Sequence, residues 1–179
     1  MIERLKTLFF NETLRQWHFE ALLAESGISR ERLNHFLKEF LKEEFIKRVK
    51  PKKKMPYYIA NRDAPRFRSE KRLYGLEQLE KSGLFEHLNT LEGIKTAILF
   101  GSFARGDWSK SSDIDLFIYG DDPRFDKKLY EKKLKREIQT FAYTDPKQIK
   151  TLDKNLIPNI VKGFHITESI EPFEVSIHA

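Results

Sequence analysis

Residues 99–119 read LFGSFARGDWSKSSDIDLFIY, and the fold turns on how this stretch is parsed. The apolar run Ile94–Phe100 (IKTAILF) has the composition of a strand and stops at Gly101-Ser102. SFARG fits a short helical turn, DWSKSS a polar loop, and DIDLFIY a second strand ended by GDDP. Side chains alternate along a strand, so Asp113 and Asp115 share one face, with about 6.8 Å of rise between them. Ile114, Leu116 and Ile118 take the other face, in a core.

Two neighbouring carboxylates repel each other and resist desolvation, a cost that a bound cation cancels. Hard oxygen donors without His or Cys suit Mg2+, which takes a few carboxylates together with substrate phosphates. Glycine at the corner lets backbone approach a ligand closely, and the N–H groups after it can hold phosphate oxygens. A phosphate cradle and a carboxylate pair, both at strand ends, point to metal-assisted nucleotidyl transfer. The bland alternative is a tight hairpin whose aspartates only cap a turn.

GSFARGDWSKSSDIDL resembles the signature of the DNA polymerase β-like nucleotidyltransferase superfamily, a Gly-Ser followed after about ten residues by Asp-x-Asp. The Ala-Arg-Gly after Gly-Ser and the Ser before the first Asp are the form of its minimal nucleotidyltransferase branch. The resemblance implies that Asp113 and Asp115 bind Mg2+ and carry catalysis. It implies nucleotide contacts from Gly101, Ser102, Arg105 and Ser112, and an NTP substrate, ATP being favoured. It covers roughly residues 84–167.

The family usually adds a third carboxylate on the following strand. Here that strand reads REIQTFAYT after the helical DPRFDKKLYEKKLK, and a family-like register puts Gln139 at the expected place. Glu137, two residues earlier, is the substitute and completes the catalytic set; its other reading is a solvent-facing charge at a strand start. Farther on, DPKQIKTL reads as a helix started by Pro146, and IPNIVKGFHITES as a helix, a Gly stop and a strand. The tail IEPFEVSIHA covers an edge or joins a partner chain.

The 179 residues include no cysteine, which excludes disulfides, thiolate catalysis and Cys-ligated zinc. No apolar run approaches the roughly 20 residues needed to cross a bilayer. The start, MIERLKTLFFNE, lacks the features of a signal peptide, so a cytoplasmic location without membrane contact is expected. The net charge is +6, unevenly spread: residues 1–68 carry 16 Lys and Arg against 9 Asp and Glu, the remainder 17 against 18. A polyanionic partner would meet the N-terminal part.

In that part Leu33, Phe36, Leu37, Phe40 and Leu41 mark one face of an amphipathic helix, with Ser29 as N-cap and Gly27 closing a preceding helix, EALLAESG. An earlier helix spans roughly residues 2–10, and RQWHF suits a short strand. FIKRVK and YYIAN flank the basic, proline-edged PKKKMP. This order resembles a winged helix-turn-helix. The resemblance implies contact with double-stranded DNA through Arg30, Arg32, Asn34, His35 and Lys38 on the second helix of the pair, and through Lys52, Lys53 and Lys54 on the wing. A winged helix can also serve only to dimerise, which keeps a homodimer among the expected partners.

The expected fold class is α+β: a winged helix-turn-helix over 1–61, a helical connector over 62–83 with Pro65 at its start and Leu73, Leu76 and Leu79 on one side, and a nucleotidyltransferase domain with a mixed sheet over 84–179. The expected function is a DNA-binding, Mg2+-dependent nucleotidyltransferase that moves NMP, AMP from ATP above all, to a protein or small-molecule hydroxyl. Similarity to the minimal branch adds an antitoxin role with a HEPN-type partner. The alternative is a transcriptional regulator whose degenerate nucleotidyltransferase domain senses a nucleotide.

Overall fold

A computed structural model describes residues 2–173; of the expected tail, residues 174–179 lie outside the described residues. The chain divides into two compact units after Lys71.

The N-terminal unit begins with α1 (Ile2–Asn11), α2 (Phe19–Ser26) and α3 (Arg30–Lys42), followed by an antiparallel hairpin of β1 (Ile46–Val49) and β2 (Tyr57–Ala60). Gly27 ends α2 in a left-handed conformation, and its N–H donates to the Leu23 carbonyl. The Ser29 hydroxyl accepts from the Arg32 N–H and starts α3, so a turn of three residues separates the two helices. Of the apolar face of α3, Leu33, Leu37 and Phe40 are buried while Phe36 and Leu41 are half-buried. RQWHF contributes a single bridge, Trp17 to Tyr58, with both N···O distances at 2.8 Å.

An aromatic cluster fills this unit. Phe45 lies 4.9 Å from both Phe40 and Phe67, and Phe10 lies 5.5 Å from Phe45 and Phe67. Edge and tilted ring contacts of this kind add to the area they bury. Phe67 belongs to α4 (Pro65–Lys81), the helix in which the division between the units falls.

The C-terminal unit continues with α5 (Leu84–Thr90), β3 (Ile94–Phe100), α6 (Gly101–Arg105), β4 (Ile114–Gly120), α7 (Lys127–Leu134), β5 (Ile138–Tyr143), α8 (Pro146–Ile149), α9 (Leu156–Val161) and β6 (Phe164–His165). The sheet order is β5-β4-β3-β6. β3 pairs antiparallel with β4 and with β6, whereas β4 and β5 are parallel and joined through α7, which makes the sheet mixed.

Ile114, Leu116 and Ile118 are buried, as the alternation requires. The opposite face is not open along its length: beyond Asp115, Phe117 and Tyr119 are also buried. They pack with Ile98, Phe100, Ile149, Leu152 and Ile160, so α8 and α9 cover the aspartate face and leave its Asp113–Asp115 end uncovered by that core. Phe173 reaches the same cluster, 5.0 Å from Phe117. Leu73 is exposed while Leu79 is buried, so the three connector leucines do not act as one apolar stripe.

Candidate active site

β3 and β4 run antiparallel with Phe100 opposite Asp115, which carries the Gly-Ser corner to the second aspartate. Gly101 has φ of +67°, a left-handed conformation that L side chains adopt at a cost of about 1–2 kcal/mol. Space is the stronger constraint. A Cβ on Gly101 would overlap Oδ2 of Asp115 and stand 2.9 Å from its Cγ. The Asp115 carboxylate therefore rests on bare Gly101 backbone, and the two halves of the sequence pattern form one surface.

α6 then carries Ser102 and Arg105 for little more than one turn. The Ser102 carbonyl accepts from Gly106 N–H at 2.9 Å and Asp107 N–H at 3.1 Å. Exposed Arg105 donates through Nε to Asp107 at 3.1 Å, and its charge also acts on Asp115. Asp113 is exposed and Asp115 half-buried. Burial, and next the Asp113 charge, push the Asp115 carboxyl above its ordinary range, with Arg105 opposing. A half-buried carboxylate beside a second one is a site short of positive charge.

Ser112 is engaged within the loop: its hydroxyl accepts from Ser109 N–H at 2.8 Å and lies 3.2 Å from the Ser109 hydroxyl. Loop geometry is held from outside by Arg136, a residue that the sequence reading passed over. Its Nη1 donates to the carbonyls of Ser109, Lys110 and Ser112 at 2.8, 2.9 and 3.0 Å. The same guanidinium lies 5.1 Å from the Phe103 ring and 5.3 Å from the Trp108 ring. Phe103 and Trp108 stack at 5.2 Å and 7°. Gly75 gives Trp108 its room, since a Cβ there would stand 2.9 Å from the indole Nε1. A basic residue in the run EKKLKRE carries no signal of burial, and only tertiary packing reveals this one.

Across the parallel pair Asp115 is opposite Gln139. Glu137 lies just before β5 and is exposed; its carbonyl accepts from Ile114 N–H at 2.9 Å. Glu137 also borders a shallow cavity of about 560 Å³ beside Lys127, Lys128, Glu131, Lys135 and Arg136. Among the described residues no group of three or more His, Asp or Glu gathers to hold a metal ion. What the site offers is a carboxylate pair flanked by a neutral amide.

The residues expected to meet DNA are all exposed. Arg30 pairs with Glu20 at 2.9 Å, and His35 stands 3.4 Å from Glu39. Lys52, Lys53 and Lys54 form no ion pair among the described residues, and no described helix is long and apolar enough to cross a membrane.

Residues 81–171 match the model of the nucleotidyltransferase domain, a span that contains the Gly-Ser corner, both aspartates and β5. The chain belongs to the nucleotidyltransferase domain family. It is also similar to a protein of Methanocaldococcus jannaschii that is named a "putative protein adenylyltransferase", with 47% identity over 47 residues. That likeness covers 24% of this chain, and the chain spans about half of that relative, 47% of its length.

Proposed function

We propose that the chain is a Mg2+-dependent nucleotidyltransferase that moves NMP, AMP from ATP above all, to a hydroxyl of a protein or small molecule. The observation that carries this reading is the contact of the Asp115 carboxylate with the Gly101 backbone, because it joins a phosphate-approachable corner to a carboxylate pair. The negative charge of the pair fits a divalent cation: burial, and next the Asp113 charge, push the Asp115 carboxyl above its ordinary range, a cost that a bound cation offsets. Asp113 and Asp115 would hold Mg2+, which neutralises triphosphate charge and activates the attacking oxygen when bound.

The chain's own residues then have the following parts. Gly101 and Ser102 bind the β- and γ-phosphates, and Arg105 supplies positive charge beside them. Ser112 and the loop fix Asp113. The acceptor oxygen forms a bond to the α-phosphorus, the bond from that phosphorus to the bridging oxygen breaks, and pyrophosphate leaves; the hydroxyl proton passes to solvent. Glu137, two residues before the Gln139 that stands opposite Asp115, is the acid substitute in this reading, and its carboxylate relays that proton to solvent.

The N-terminal unit supports a DNA-binding role: three helices, a three-residue turn and a hairpin with an unpaired basic tip suit a winged helix-turn-helix. Arg32, Asn34, His35 and Lys38 would face the groove from α3, with Arg30 released from Glu20. An antitoxin role with a HEPN-type partner, a homodimer and a cytoplasmic location are parts of the reading that rest on family similarity and composition.

One observation favours a second reading. Gln139 opposite Asp115 suits a domain that binds nucleotide without turnover, in a DNA-binding regulator. Calorimetric titration of ATP with Mg2+ into wild type and Asp113→Asn/Asp115→Asn tests the common ground: micromolar binding lost in the double variant is expected, and equal binding in both overturns it. Pyrophosphate release that vanishes in Asp115→Asn then separates enzyme from sensor.

A further inference from the structure

A second pocket lies wholly within the N-terminal unit. It has a volume of about 470 Å³ and is bordered by Gln16, His18, Lys52, Lys54, Met55 and Tyr57 together with Pro51. That volume falls in the range of small-molecule sites, roughly 300–1,000 Å³.

The pocket is built by the Trp17–Tyr58 bridge. Trp17 is fully buried, so Gln16 and His18 on either side of it turn outward, toward the hairpin tip. The His18 Nδ1 stands 3.1 Å from the Pro56 carbonyl oxygen. A carbonyl only accepts, so Nδ1 donates in this contact and the Pro56 carbonyl fixes the orientation of the ring. The His18 ring meets Tyr57 edge-on at 6.3 Å and 81°.

Three features coincide here. Tyr57 supplies an aromatic surface, and Met55, 71% exposed, sets a large thioether on an otherwise charged tip. Lys52 and Lys54 have no carboxylate partner among the described residues, whereas nearby Lys47 faces Asp63 at 3.9 Å. Gln16 and His18 add a donor and acceptor set between the apolar wall and the ammonium groups. A surface that only follows a phosphate backbone has use for the charge and none for the rest. A planar heterocycle with a phosphate uses all three.

We propose that this pocket is a nucleotide site separate from the Gly101–Asp115 surface, taking a nucleoside phosphate. The base lies against Tyr57 and Met55, its edge meets Gln16 and His18, and the phosphate meets Lys52 and Lys54. The ligand is a free nucleotide or an unstacked nucleotide of a single strand. The site stands apart from the reading of the C-terminal unit and does not require it.

The test uses the full chain carrying Asp113→Asn/Asp115→Asn, in EDTA, so that binding at the other site is silenced. AMP and a 5′-phosphorylated single-stranded tetranucleotide are titrated separately, with backbone amide shifts followed by NMR. Saturable binding that moves the amides of residues 16–18, 52–55 and 57 is expected. Lys52→Gln, Lys54→Gln and Met55→Asp, all at exposed positions, should each weaken it about tenfold, while Lys50→Gln, exposed and outside the pocket lining, changes it less than about twofold. AMP binding identifies a free nucleotide as sufficient; tetranucleotide binding without AMP binding identifies a strand. Absence of both in the folded protein overturns the proposal. So does binding that Lys50→Gln weakens as much as Lys52→Gln and that ignores Met55→Asp, since charge alone then explains it.

Discussion

Gln139 stands directly opposite Asp115 in the parallel pairing of β4 with β5, so the position beside the half-buried carboxylate is neutral. Gln139→Asp would set a third like charge there. Without a divalent cation it should lower stability by about 0.5–1 kcal/mol, the scale of like charges facing across a sheet. Mg2+ should remove the loss, and if the domain transfers nucleotide, turnover should rise. Thermal melts with and without MgCl2, paired with a pyrophosphate assay, check both. A variant equally stable in either buffer would detach position 139 from the metal.

The backbone of Gly101 lies where no side chain fits. Gly101→Ala meets two costs, the left-handed φ of +67° and overlap with the Asp115 carboxylate. The first alone is about 1–2 kcal/mol, and the second forces the carboxylate away from the corner. We expect melting of the C-terminal unit to fall and Mg2+–ATP affinity to drop by more than tenfold, a larger loss than the stability change explains. Calorimetry at a temperature where the variant is fully folded separates the two effects.

Much of this corner was legible in the sequence, because alternation and a Gly-Ser break are local signals. Ser29 and Gly27 were legible for the same reason, each being tied to a backbone group three or four residues away. The burial of Phe117 and Tyr119 was not. Their cover comes from α8, α9 and Phe173, tens of residues downstream, and no local pattern in β4 announces it. Leu73 and Leu79 illustrate the converse: equal spacing on one helix, one exposed and one buried, because packing partners decide which part of a stripe is used. Gly75 carries no local sign that Trp108 fills the space beside it.

Arg136 ties three carbonyls of the loop that ends at Asp113, and burial lowers its pKa without removing its charge. Hydrogen bonds from a charged group contribute about 1.5–3 kcal/mol, so Arg136→Ala should destabilise the C-terminal unit by that order in a urea titration. Arg136→Lys should recover part of the loss, since an ammonium still donates to carbonyls but does not set a planar face beside the Phe103 and Trp108 rings. If the loop orients Asp113, Mg2+–ATP affinity should follow the order wild type, Lys, Ala. Unchanged affinity in a destabilised Arg136→Ala would confine the residue to folding.

Asp115 makes the pH dependence specific. Its folded pKa lies above the usual 3.8 because burial and Asp113 disfavour the charged form. A raised folded value means the native state holds the proton more tightly than the unfolded chain. The contribution to stability is therefore full below the unfolded value and is lost as pH rises through the folded one. Replacing the group by Asp115→Asn removes that loss. In metal-free buffer the variant should be more stable than wild type near neutral pH, and the advantage should shrink as pH falls toward 3.8. Nucleotide binding should run the other way: in the proposed reading a cation is held by the charged carboxylate, so Mg2+–ATP affinity should weaken on acidification through the same window. Denaturant titrations of both proteins across that range, with parallel calorimetry, check the pair of trends. A stability difference independent of pH would mean that Asp115 titrates normally and that the carboxylate pair is not short of positive charge.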